Sequence, residues 1–188
     1  GVRVFRSKRG VGNVEPRKRL LPHITTPYVF TLDDDWWMLN QGWANGAVRV
    51  LKNAPSICQV ALGIMPVGGA NDYGVVHTLL NRPFFRMPPL MPGPKADTQA
   101  ASSLTAPPDC EILDVVGEKV VVSLVGTQLP FSCSGGAAAW RTADVLPLLT
   151  QPPSYPVCDL RELWSFPLQM KGMRESTIIG YGCLHPSP

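Results

Sequence analysis

The stretch Tyr28-Val29-Phe30-Thr31-Leu32-Asp33-Asp34-Asp35 decides how the rest of the chain is read. Its first five residues form a nearly continuous apolar run of high β propensity, the composition of a strand buried on both faces. The run ends in three carboxylates. These repel one another, so gathering them at a strand end costs stability unless a cation compensates. In an open α/β sheet, ligands sit beyond the carboxyl ends of the strands, where the aspartates fall if the run is a central strand. Alternate residues turn to the same side, so Asp33 and Asp35 offer hard oxygen ligands suited to Mg²⁺ or Mn²⁺ bridging a diphosphate. A solvated acidic turn ahead of Trp36-Trp37 accounts for the same residues without a metal.

On the carboxyl side of this stretch, Trp43, Ala47, Val50 and Leu51 recur at helical spacing, which predicts a helix over residues 41–53 closed by Asn53 and Pro55. Residues 56–62 read as a second buried strand, and strand, helix, strand is the pattern of a parallel crossover. On the amino side, residues 15–21 predict a short helix that stops at Pro22, and residues 2–5 alternate like a strand. Residues 64–110 break the pattern with prolines and an Ala/Ser/Thr-rich run. They read as a long excursion, and its Pro-rich part at about 80–108 is a candidate binding loop. Residues 115–125 supply one or two strands about Gly117-Glu118, and residues 137–141 a short strand after a small-residue turn. Residues 159–171 predict a helix with Leu160, Leu163, Trp164 and Leu168 on one face and a kink at Pro167. Together these elements predict a single α/β domain over residues 1–188, a mixed and mainly parallel sheet flanked by helices.

Composition is consistent with one cored domain: 188 residues, 45% hydrophobic and 16% charged. No window approaches the ~18 consecutive apolar residues of a membrane span, and the amino-terminal residues match neither a signal nor a transit peptide. The five cysteines form no CxxC pair, so they read as free thiols or small core residues rather than a metal or redox motif. Net charge is +3, but seven of the 17 basic residues lie in the first 19 positions, and the remainder of the chain is net acidic. A local basic cluster without interleaved aromatics suggests a phosphate-bearing ligand and no nucleic-acid surface.

Taken together, Arg17-Lys18-Arg19-Leu20-Leu21-Pro22-His23-Ile24-Thr25-Thr26-Pro27 and the strand and aspartates that follow resemble the GT-A glycosyltransferases, both the family-two-like group and the exostosin carboxyl-terminal transferase domain. The resemblance is specific over residues 1–62. It is weaker, but in the right order, at Ser134-Gly135-Gly136-Ala137-Ala138-Ala139-Trp140-Arg141, similar to the family's small-residue strand beside the acceptor site, and at Asp159-Leu160-Arg161-Glu162, similar to its acidic segment. It implies a GT-A-like fold whose amino-terminal, base-binding strands are missing here, and a cytoplasmic or Golgi-lumenal setting. The implied reaction moves a sugar from a nucleotide-diphosphate donor to a hydroxyl of a glycan, lipid or protein.

The same resemblance implies the site. Asp33 and Asp35, with His185 as a third ligand, would hold the metal, and Asp34 would face the ribose or donor sugar. Arg17 or Arg19 would clamp the diphosphate, and Gly135 and Gly136 would let the backbone approach the sugar. Glu162 or Asp159 would be the base of an inverting reaction. Asp159 and Glu162 also have the spacing of a helix cap. Two other classes use the same features: a metal-dependent nucleotidyl or phosphoryl transferase, and a non-catalytic binding domain that keeps the fold.

Overall fold

The computed structural model describes residues 4, 14–33, 37–38, 41–67, 110–127, 129, 137–150 and 161–186. Helix α1 (Val14–Leu20) and a 3-10 turn (Leu21–His23) lead into β1 (Tyr28–Leu32) and the short β2 (Trp37–Met38). Then follow α2 (Trp43–Asn53), β3 (Ile57–Val67), the hairpin of β4 (Cys110–Val115) and β5 (Glu118–Ser123), and β6 (Ala137–Arg141). Helix α3 (Thr142–Thr150), a π-helical turn (Arg161–Ser165), the short α4 (Phe166–Gln169) and the long β7 (Arg174–Pro186) complete the order.

The architecture is α/β, a mixed sheet with helices on both faces. Its strands run in the order β1-β6-β3-β7-β5-β4, and β2 lies beside the carboxyl-terminal part of β7. β6 shows how the two faces divide, because successive strand side chains point to opposite sides. Ala137 and Ala139 pack with Trp43, Ala47, Val50 and Leu51 of α2, on the spacing expected from the sequence. Ala138 and Trp140 pack on the other face with Val145 of α3 and with Leu163 and Trp164 of the π turn. In β3 the register shifts between Ile57 and Gln59. Cys58 and Gln59 therefore both turn toward the π-turn face, Cys58 into its apolar cluster and Gln59 onto Ser165. Burial pushes the Cys58 thiol up, with the nearby Glu175 adding to the effect, so this cysteine is an inert core residue. Cys58 is a free thiol.

Among the described residues five of the six strand pairings are antiparallel and only β3 with β7 is parallel, so the described sheet is not mainly parallel as expected. The crossover from β1 through α2 to β3 does join strands that run the same way. β6, drawn from far along the chain, inserts between them antiparallel to both. Among the described strands β1 is consequently an edge strand and not a central one. Val29 is buried, while Phe30 and Leu32 are 37% and 53% exposed, so the apolar run is not covered on both faces.

Other boundaries differ as well. Residues 110–114 already belong to β4, and α3 and most of β7 carried no helix or strand signal that was read. Pro147 inside α3 and the glycines of β7 masked them. The expected helix over 159–171 is described from residue 161 as a π turn followed by α4. Pro167 falls in the first turn of α4, where its missing N–H costs no bond, so the irregularity precedes the proline. Of the expected strand at residues 2–5 only Val4 is described, exposed and without regular structure. Residues 68–109, with the Pro-rich stretch, lie outside the described residues. Among the described residues no helix is long and apolar enough to cross a membrane.

The β4–β5 hairpin turns on Val116 and Gly117, with φ of 52° and 79°. Two consecutive positive φ values define a type I′ turn, which favours Asn-Gly. The Asp114 carboxylate accepts the Gly117 N–H at 2.9 Å and helps hold it. A β-branched residue is strained in this region. Val116→Asn is therefore expected to raise stability by about 1 kcal/mol, read as a higher urea midpoint at unchanged slope. A lower midpoint would contradict the turn geometry.

Candidate functional site

β1 and β3 run the same way on either side of β6, and β7 runs parallel to β3, so the carboxyl ends of β1, β3 and β7 lie at one end of the sheet. Asp33 follows β1 at that end. β7 reaches it at residues 183–186, where Leu184 and Cys183 pair with Trp37 and Met38 of β2. β1 and Asp33 on one side and β2 on the other therefore both lie at this end.

Asp33 accepts a hydrogen bond from Arg17 Nη2 at 3.4 Å. Helix α1 supplies this arginine: its seven residues set Arg17 on the side facing β1, where its side chain is 23% exposed. The guanidinium thus partly offsets the carboxylate repulsion inferred from the sequence. Arg19, two residues on, points elsewhere and pairs with Glu15 in an exposed i,i+4 bridge. Of the two candidate arginines, only Arg17 stands at the end of β1.

A cleft of about 210 Å³ lies beside the Arg17–Asp33 pair, between α1, β1 and the π turn. Leu20, Ile24, Val29 and Trp164 form its apolar wall, and Arg17 is its charged lining residue. Trp164 is held from behind. It meets Trp140 edge to face at 4.9 Å, and the neighbouring Ser165 hydroxyl donates to Gln59 Oε1 at 2.6 Å. The indole N–H groups of both tryptophans find no acceptor among the described residues. π-helical turns are rare and recur at functional sites; here one places Trp164 in the cleft wall. Sequence periodicity assigned Trp164 to a helix core face, which its 2% exposure agrees with, but nothing in the pattern signalled a cleft.

The remaining expected site residues divide as follows. Glu162 belongs to the π turn two residues before Trp164, and His185 to β7 opposite Pro66; their backbones are described and their side chains are not. Asp34, Asp35, Gly135, Gly136 and Asp159 lie outside the described residues. Ala137, the first residue of β6, pairs with Leu32 at the same sheet end as Asp33. Among the described residues no three His, Cys, Asp or Glu side chains form a group that could hold a metal ion. Asp33 is the one expected ligand whose side chain is described. Comparison with protein-family models, curated proteins and solved structures finds no match for this chain.

Proposed function

We propose that the chain is the metal- and sugar-nucleotide-binding part of a glycosyltransferase of the GT-A type, transferring a sugar from a nucleotide-diphosphate donor to a hydroxyl acceptor. The observation that carries this reading is the Arg17–Asp33 pair at the carboxyl end of β1, beside a cleft and at the shared end of three co-directional strands. The topology agrees with it, since a strand ending in aspartates is followed by a helix and a co-directional strand, with an antiparallel strand between them.

In this reading Asp33 and Asp35 hold the cation, with His185 as a third ligand. When bound, the cation supplies positive charge against the charge that develops on the departing diphosphate. Arg17 exchanges Asp33 for a diphosphate oxygen, a charge-assisted bond to a doubly charged partner. Gly135 and Gly136 give the donor sugar access to backbone, and Asp34 faces the ribose or sugar. Glu162, on the π turn, or Asp159 deprotonates the acceptor hydroxyl if the anomeric centre inverts.

The test is calorimetric titration of a panel of nucleoside diphosphates into the folded chain, with Mn²⁺ and with chelator. Binding is expected only with Mn²⁺. It should weaken at least about 100-fold in Asp33→Asn/Asp35→Asn, and about 10-fold or more in Arg17→Gln. Arg19→Gln should leave it unchanged. Binding that ignores the metal, or a folded chain that binds no diphosphate, would sink the proposal.

A further inference from the structure

The cleft beside the Arg17–Asp33 pair gathers apolar side chains that remain open to solvent. Leu20, Phe30 and Leu32 are 37%, 37% and 53% exposed, and all three line this one concavity. Single exposed apolar residues are ordinary, but several around one cleft mark a binding surface. The volume of about 210 Å³ is below that of a drug-sized pocket, and a cavity of about 150 Å³ is enough for a benzene ring. The space therefore fits one ring with a small substituent.

The polar inventory of its wall is short. Arg17 donates to Asp33, the Thr31 hydroxyl donates to the Ala138 carbonyl at 3.5 Å, and the Trp164 N–H is buried, so Trp164 meets the cleft with ring carbons. A sugar ring placed here would give up water at several hydroxyls and find few side-chain partners in return, which weakens binding. Charge adds a second restriction. Asp33, Asp34 and Asp35 follow Leu32 directly, so an anionic group at this end meets three carboxylates. A cationic group meets Arg17 and, in the proposed reaction, the divalent cation as well.

We propose that this cleft is the acceptor subsite, and that the acceptor carries its hydroxyl on an uncharged apolar group about the size of one ring, a phenol being the simplest case. The inference rests on the glycosyltransferase reading. There Arg17 holds the diphosphate of the donor, so the occupant of the adjoining cleft lies next to the bond between sugar and phosphate. The π turn that supplies Trp164 also carries Glu162, one of the two candidate bases, two residues earlier. In the transfer the acceptor oxygen bonds to the anomeric carbon as that carbon's bond to the diphosphate oxygen breaks. The electron pair leaves on the nucleoside diphosphate, and the hydroxyl proton passes to the carboxylate of Glu162 or Asp159.

The test is methyl-resolved NMR on the full chain with 4-methylphenol as the probe, first without metal or nucleotide. The Ile24 and Val29 methyls, which line the cleft, should shift with half-saturation at about 1 mM, the affinity open to a ligand of so few atoms. Methyl glucoside at the same concentration should leave them unmoved. Leu20→Asp, a change at an exposed helix end, should weaken the probe at least about 10-fold, and Leu20→Met should keep it within about 2-fold. An unchanged Ala139 amide resonance shows that both variants are folded. Saturating Mn²⁺ and a nucleoside diphosphate should leave the probe bound. Three results would overturn the proposal at the cleft: no methyl shift in a folded chain; equal shifts with methyl glucoside; and displacement of the probe by the diphosphate, which would give the cleft to the donor. Because the first titration contains no donor, a failed cleft and a failed donor site are told apart. A probe that binds a chain taking no diphosphate would overturn the acceptor role through the reading on which it rests.

Discussion

Replacing Arg141 with methionine is expected to cost about 3–5 kcal/mol, enough to unfold the chain or leave it marginal at room temperature. This guanidinium closes four contacts at once. Its Nε donates to Asp144 at 2.6 Å, Nη1 to the Leu51 carbonyl at 2.6 Å, and Nη2 to the carbonyls of Ile57 at 2.6 Å and Pro55 at 3.0 Å. One side chain at the end of β6 thereby satisfies a carbonyl in the last turn of α2, the turn that follows it and the first residue of β3. Helix ends need such partners, because their last carbonyls have none within the helix. Methionine fills similar volume but strands these acceptors and leaves Asp144 without its cation, and each stranded group costs on the order of 1–3 kcal/mol. Arg141→Lys keeps the charge and loses the planar fork, so about half of the loss should remain. Urea unfolding of the three proteins measures both. A methionine variant within about 1 kcal/mol of the parent would show that water replaces these bonds freely.

Gly46→Val should cost about 3 kcal/mol by a different route. Gly46 lies on the buried face of α2, and a Cβ there would come within 2.8 Å of Ile178 Cδ1 and 3.2 Å of Glu118 Oε2. The helix sits this close to the sheet because the residue has no side chain. The same Glu118 is paired with Arg49 of α2, so lifting the helix also strains that ion pair. Gly46→Ala places only one carbon in the gap, where the end of the Ile178 side chain can yield, and alanine gains up to about 1 kcal/mol in helix propensity. The valine variant should therefore lose much more than the alanine one. Equal values would mean that α2 does not pack as closely as these distances indicate. Gly42 is a useful contrast: a Cβ there meets nothing within 4 Å, yet its φ of +90° makes any side chain strained.

Local patterns carried much of the fold. The helical spacing of Trp43, Ala47, Val50 and Leu51 marked the buried face of α2, and residues 137–141 matched β6 at both ends, since each signal lies within one element. Longer-range features were not legible. α3 contains Pro147, which local reasoning treats as a breaker, yet Val145 and Leu148 anchor it against Trp140 and Trp164. β7 has few strand signals along Gly180-Tyr181-Gly182 but pairs with β3, β5 and β2, and its ladder bonds come from partners more than 50 residues away.

The same division holds at the site. From the order of residues alone came the aspartate triplet at a strand end, the short basic helix ahead of it and the small-residue strand later in the chain, because each is a contiguous motif whose chemistry is local. Tertiary structure alone decided that Arg17 and not Arg19 meets Asp33, and that Trp164 walls the adjoining cleft. It alone put β1 at the edge of the described strands, with Phe30 and Leu32 exposed. The physical reason is that a continuous apolar run records how much cover a strand requires, whereas its neighbours are set by which distant strands reach it, here β6 on one side and no described strand on the other.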